Sequence, residues 1–192
     1  MELAALFVHH APTELEARWI GHRLAALLGD AHAALDEEGN PAPRARGALT
    51  LRGVLVDASG YVALGAEEPG APAAPEVAAG GRLTPRADVH ALGALLLELL
   101  DPSEDPELEA AIGLAIEPDP ARRRVTCVEL EALLGRGVDA SAAREALGAR
   151  VRASLAPRPQ SPISTLARIV VAFATAAVVF ATGVLVVERW LR

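Results

Sequence analysis

Few side chains in this chain are placed to do chemistry. Asp88, in Asp88-Val89-His90-Ala91-Leu92-Gly93, precedes the apolar run Ala94 to Leu100. A carboxylate at the mouth of such a helix accepts backbone N–H groups. Glu67 and Glu68 are adjacent acids in a Pro/Gly/Ala-rich loop. Such a pair can hold a cation in principle, but is far more often merely solvated. His9, His10, His22, His32 and His90 show no ligand spacing with a carboxylate or thiol, and His32 and His90 read as core or helix-surface residues. Cys127 is the single cysteine, so it forms no internal disulfide and reads as a buried structural thiol. No Ser-x-Gly elbow, zinc spacing or dinucleotide glycine pattern occurs. All 18 basic residues are arginine, as expected of a GC-rich genome that replaces lysine codons. Any function that needs a lysine amine is therefore excluded.

The elements that would carry these groups are mainly helical. The chain has 192 residues, enough for one domain with appendages. Its residues are 52% apolar but only 3% aromatic, so Ala, Leu and Val must build the core. A net charge of −7 argues against a nucleic-acid binder, which would carry a basic stripe. The first ten residues lack a basic n-region and carry Glu2, unlike a signal peptide. Thr13 and Glu16 form a capping-box pattern that opens a helix running to about Leu35. Ile20, Leu24, Leu27 and Leu28 recur on it at helical spacing, with Leu15 and Trp19 as an i,i+4 pair off that stripe. Gly39-Asn40-Pro41 is expected to stop this helix.

A hairpin follows: Val54 to Val56, a turn at Asp57 to Gly60, then Tyr61 to Leu64. An irregular loop is expected from Gly65 to Gly81. Thr84-Pro85 then leads into a helix ending near Leu100, broken by Asp101-Pro102-Ser103. That helix is apolar on nearly every face, so a core is expected to cover all its sides. Further helices are expected over about 106–116, 128–134 and 141–155. The last is amphipathic, with Arg144, Glu145, Arg150 and Arg152 on a solvated face.

The C-terminal end reads differently. Ala156-Pro157-Arg158-Pro159-Gln160-Ser161-Pro162 has the composition of an extended linker. Ile169 to Val187 is nineteen residues without a charge, with Thr175 and Thr182 its polar members. As a helix this run is about 28 Å long, close to the hydrocarbon thickness of a bilayer. Arg168 and Glu188-Arg189-Trp190 bracket it as charged and interfacial anchors would. The expected organisation is a domain over 1–135, an amphipathic helix over 136–155, a linker over 156–165, a transmembrane helix over 166–188 and a tail over 189–192. Arg150, Arg152, Arg158 and Arg168 lie before the span and Arg189 and Arg192 after it, which places the N-terminal domain in the cytoplasm. Ala172/Ala176 and Ala177/Ala181 offer small-residue spacing for helix association.

Four pieces in order carry a family likeness: Gly53-Val54-Leu55-Val56-Asp57-Ala58-Ser59-Gly60-Tyr61, Ala74-Pro75-Glu76, Asp88-Val89-His90-Ala91-Leu92-Gly93, and Arg123 in Glu117-Pro118-Asp119-Pro120-Ala121-Arg122-Arg123. Over roughly residues 15–135 the chain resembles the C-terminal lobe of bacterial eukaryotic-type Ser/Thr protein kinases. The resemblance implies a mainly α fold with a short β-hairpin: a truncated C-lobe-like domain, here followed by one transmembrane helix. It implies that Ala-Pro-Glu closes an activation segment, that the helix after Asp88 is the lobe's central pillar and that Arg123 pairs with Glu76. Glu76, Asp88, Gly93 and Arg123 are then fold-maintaining residues.

The same resemblance puts Ala48 where the family has its catalytic Asp, Thr50 at the following lysine, Gly53 at the metal-binding Asn and Ala66 at the metal-binding Asp. The Gly-rich loop and lysine strand, which should precede residue 15, do not occur. The activation segment and the stretch before Arg123 are contracted, so the substrate-docking helix is expected to be lost. The resemblance thus implies a catalytically inactive pseudokinase-like scaffold in the bacterial inner membrane, with Ile169, Val187 and Trp190 as anchor residues. It would bind a protein partner or itself, with no cofactor, no metal, no small-molecule substrate and no nucleic acid. Two alternatives remain at this stage: a kinase fragment that transfers phosphate from ATP once an N-lobe is supplied, and a tail-anchored α-rich membrane protein unrelated to kinases.

Overall fold

The computed structural model describes residues 1–66, 71–100 and 105–156. A single turn, α1 (Leu3–Leu6), precedes the long helix α2 (Glu14–His32). The Thr13/Glu16 pattern closes as a reciprocal capping box: Glu16 N–H donates to Thr13 Oγ1 at 3.3 Å and Thr13 N–H to Glu16 Oε2 at 2.8 Å. Ile20, Leu24 and Leu28 are buried as expected, whereas Leu27 is half-exposed. The helix ends at His32 rather than near Leu35, because Leu35 leaves it to form an isolated bridge with Pro41. Gly39-Asn40-Pro41 therefore does not stop the helix. These residues belong to a turn organised by Asp36, whose carboxylate accepts from the Glu38 and Asn40 N–H groups.

The hairpin forms where expected, except that its second strand starts at Val62 rather than Tyr61. β1 (Val54–Val56) pairs antiparallel with β2 (Val62–Leu64), Val54 opposite Leu64 and Val56 opposite Val62. Val54, Val56 and Val62 point into the core and Leu55 points out, as period-2 alternation requires. Asp57 Oδ1 builds the turn by accepting from Ser59 N–H, Ser59 Oγ and Tyr61 N–H at 2.7 to 3.0 Å. On the other edge of β1, Glu2 bridges to Leu55.

The loop after β2 is not wholly irregular. Ala74-Pro75-Glu76 starts a one-turn helix, α3 (Pro75–Ala78), with Pro at a position where a missing N–H costs nothing. The helix after Thr84 is α4 (Pro85–Leu99), followed by α5 (Pro106–Ala115), α6 (Cys127–Gly135) and α7 (Ala140–Leu155). A second capping box, Thr126 with Glu129, opens α6. Gly93 leaves the room into which Ala115 and Ile116 pack: a Cβ there would lie 2.8 Å from the Ala115 Cβ.

Full burial of α4 is not what the structure has. Ala87, Asp88, Val89, Ala91, Leu92, Gly93, Leu95, Leu96 and Leu99 are buried, but Arg86, Ala94, Leu97 and Glu98 form an exposed stripe, Leu97 at 55%. Apolar identity alone does not compel burial when the opposite face already fills the core.

α2 is the central member, packed on α4, α6, α7 and β2. Met1–Leu155 forms one compact unit, and α7 is part of it. Ala143, Leu147 and Val151 of α7 enter the core. Gly148 brings its backbone against the hairpin turn, where a Cβ would meet Ala58 O at 2.7 Å. Arg150 was expected on a solvated face. It is instead three-quarters buried, with Nε and Nη2 each 3.0 Å from a Glu16 oxygen and the guanidinium 5.4 Å from the centre of the Phe7 ring.

Among the described residues no helix is long and apolar enough to cross a membrane. The expected linker after Ala156, the span at 166–188 with Ile169, Val187 and Trp190, and the tail at 189–192 lie outside the described residues, as does the Asp101-Pro102-Ser103 break.

Gly60 has φ +76°, and a Cβ on it would collide with the Arg144 carbonyl of α7. Gly60→Ala is therefore expected to cost about 2–4 kcal/mol, from the left-handed backbone and the lost α7 seat together, read as a lowered unfolding midpoint by circular dichroism.

Candidate functional site

Asp88 lies in the first turn of α4 and is 1% exposed. Its carboxylate accepts from the Arg46 N–H at 3.0 Å to each oxygen and from the Gly47 N–H. His32 at the end of α2 places Nε2 2.8 Å from Asp88 Oδ2. Successive N–H groups converge on one anion only if the backbone turns sharply, and Gly47 supplies this with φ +88°. A Cβ at Gly47 would also collide with the Leu83 side chain. One buried carboxylate thus ties α2, α4 and the 46–53 loop together. The His32 contact had no sequence signal, since its partner lies 56 residues away.

The second anchor is the pair Glu76–Arg123. Arg123 Nη1 meets Glu76 Oε1 at 2.5 Å and Nη2 meets Oε2 at 2.7 Å. The other donors go to backbone carbonyls: Nε to Glu117 at 2.6 Å, Nη1 to Arg86 at 3.0 Å and Nη2 to Pro118 at 3.0 Å. All five guanidinium N–H groups are therefore engaged, which is how a cation of this size stays buried. The bonds from Arg123 hold the Glu76 carboxyl below its ordinary value, against the opposing effect of burial. Neighbouring His90 is half-buried. Burial, and then the Arg123 charge, lower its pKa, while Glu76 pulls the other way.

Around the first anchor, the loop from Arg46 to Gly53 sits beside the end of the hairpin. The Arg46 guanidinium donates to Ala48 O at 3.2 Å and Gly65 O at 2.8 Å. Gly53 N–H donates to Thr50 O at 3.0 Å and Thr50 Oγ1 at 3.1 Å, and Gly65 N–H donates to Gly53 O at 2.9 Å. Ala48, Gly53 and Ala66 thus belong to one small platform, but they present only methyl groups and hydrogens to it. Glu67 and Glu68 lie outside the described residues. Among the described residues no group of three or more His, Cys, Asp or Glu side chains is arranged to hold a metal ion.

Cys127 is 2% exposed. Burial pushes its thiol up to about 12, with the Asp88 charge adding to the shift, so it stays protonated and unreactive at neutral pH. His22 Nδ1 lies 3.1 Å from Glu131 O, and His9 and His10 are exposed. Sequence reasoning also missed Arg18. It is buried and donates to Leu133 O at 2.8 Å, Arg136 O at 3.1 Å and Leu134 O at 3.3 Å, closing the carbonyl end of α6.

Glu76→Ala leaves the Arg123 charge buried without a counter-ion and is expected to cost about 3–5 kcal/mol. Asp88→Ala orphans two loop N–H groups, at about 1–3 kcal/mol for each unmet group. Both are measured by denaturant unfolding. The pH dependence has a defined sign. His90 and Glu76 are both less readily protonated in the folded chain than at their ordinary values of 6.5 and 4.5. Each contribution is complete above the ordinary value and is lost as pH falls through the folded one. Stability is expected to decline below pH 6.5 in two stages, with His90→Phe removing the upper stage and Glu76→Gln the lower.

Neither a protein-family model nor a curated protein sequence matches this chain.

Proposed function

We propose that the chain is a catalytically inactive, membrane-anchored scaffold of the protein-kinase C-lobe type that binds a protein partner. The observation that carries the reading is the pair of anchors. Glu76 and Arg123, which the resemblance pairs, make a bidentate contact, and Asp88 holds the backbone of the loop to which the resemblance assigns the catalytic residues. Within that loop, phosphoryl transfer has nothing to work with. It needs a carboxylate to orient the hydroxyl, metal ligands on the triphosphate and a cation over its phosphates. Ala48 and Gly53 supply none of these, and the chain has no lysine. Arg46, at the start of that loop, commits Nε to Ala48 O and Nη2 to Gly65 O.

Partner binding is supported by the outward side of the hairpin. Leu55 is 39% exposed there, and its cross-strand neighbour is Ala63. A solvated sheet face ordinarily carries polar residues, so an apolar one suits a protein contact. Membrane anchoring is supported by the uncharged run Ile169 to Val187.

Two measurements test the reading. The full chain in detergent micelles, given Mg·ATP and a generic Ser/Thr peptide, is expected to transfer no phosphate. Turnover that disappears on deleting residues 46–68 would overturn inactivity. The full chain is expected in the carbonate-resistant membrane fraction and the 1–155 fragment in the soluble one. A full chain released by carbonate would overturn the anchor.

A further inference from the structure

Most buried or half-buried arginines of this chain spend their donors internally: Arg18, Arg46, Arg123 and Arg150 each bond acids or carbonyls of the fold. Arg23 does not. It is half-buried on α2, one turn after Trp19, and its guanidinium carbon lies 5.8 Å from the centre of the Trp19 ring and 5.9 Å from that of Tyr61. Among the described residues no carboxylate pairs with it and no carbonyl accepts from it. Arg44, Arg82 and Arg124 share that property, but they are exposed and keep their full hydration. A half-buried guanidinium has given up part of its water without gaining an acceptor.

The surroundings hold this cation in place. Trp19 Nε1 donates to Gly60 O at 3.3 Å, which fixes the indole against the hairpin turn. The His22 ring lies 5.7 Å from the same indole, tilted by 34°. Tyr61 is 48% exposed. The acid of the adjoining turn, Asp57, is already committed to Ser59 and Tyr61. The result is a planar fork of N–H donors within 6 Å of two aromatic ring centres, with no counter-ion among the described residues.

We propose that Arg23 and Tyr61, backed by the buried Trp19, form a docking point for an acidic segment of a partner protein, one carboxylate of which engages Arg23 while a neighbouring apolar side chain packs on Tyr61. Arg, Trp and Tyr are the residues that dominate binding energy in protein interfaces. Aromatic contact orients a guanidinium for bidentate carboxylate recognition. A membrane surface or nucleic acid would call for a cluster of cations, whereas this site has one arginine. The proposal rests on the scaffold reading and adds the surface and the chemistry of the partner.

The test pans a displayed random 12-residue peptide library on the immobilised full chain in detergent micelles, in parallel with Arg23→Gln of unchanged melting temperature. Peptides rich in Asp and Glu are expected to enrich on the native chain. Individual hits, followed by Trp19 fluorescence in a Trp190→Phe background, are expected to bind Arg23→Gln about ten- to a hundredfold more weakly, with Arg23→Lys in between. Replacing the acids of a hit by Asn and Gln is expected to cost a similar factor.

Hits that are neutral and bind Arg23→Gln equally well would overturn the docking point while leaving a binding scaffold intact. Displacement of hits by inorganic phosphate at the same concentration would show a general anion site and overturn the peptide assignment. Arg23-dependent dimerisation of the full chain without peptide would assign the site to a second copy. No acid enrichment at all would overturn the proposal, with the membrane and ATP measurements still deciding the scaffold reading separately.

Discussion

A buried carboxylate needs hydrogen-bond donors on its oxygens, and Asp88 obtains three from parts of the chain that are remote in sequence. Backbone N–H groups come from Arg46 and Gly47, and a ring nitrogen comes from His32. Each donor fixes one element: the loop before the hairpin, the end of α2 and, through Asp88 itself, the start of α4. Other features follow from this arrangement. Gly47 must take a left-handed backbone so that two successive N–H groups aim at one anion. Cys127 packs close enough to feel the charge. The anion is expensive to bury, and it is tolerable only while every donor is in place.

The Glu76–Arg123 pair works beside it, with Arg123 Nη1 donating to the Arg86 carbonyl in the same first turn of α4, so the helix is held by ions at its N-terminal end and by Leu and Ala packing along its buried side. Taken together, the polar groups inside this unit are consumed by the fold. Among the described residues every buried side-chain nitrogen or oxygen has a partner. A catalytic site requires the opposite, groups held in position but left unsatisfied until substrate arrives. By contrast, among the described residues Arg23, beside Trp19 and Tyr61, is a half-buried guanidinium with neither a carboxylate nor a carbonyl partner.

The sequence made local features legible and left long-range ones hidden. The Thr13/Glu16 capping box and the position of the hairpin depend on residues at most ten positions apart, so their signals were complete in the sequence; the Thr126/Glu129 box that opens α6 is equally local but went unread. The Glu76–Arg123 contact was anticipated only through a family resemblance, since nothing in their spacing of 47 residues encodes it. Arg150 defeated the reading because a charged residue on an amphipathic helix defaults to solvent unless its partner is known, and its partner, Glu16, is 134 residues away. His32 fits its reading as a core or helix-surface residue, but its partner Asp88, 56 residues away, carried no local signal. The exposed stripe on α4 was hidden differently. Ala94 and Leu97 look like core residues, and only the packed neighbours decide which side of an apolar helix faces water.

The all-arginine composition was attributed above to codon usage, and Arg123 shows why the exchange is hard to reverse. A lysine there would bring three donors on one atom where five, spread over a planar fork, now serve one carboxylate and three carbonyls. Arg18, bridging three carbonyls and an acid, sits in the same position. Once the interior is wired through guanidinium groups, a return of lysine to these sites is opposed by folding itself, whatever the genome's mutational bias.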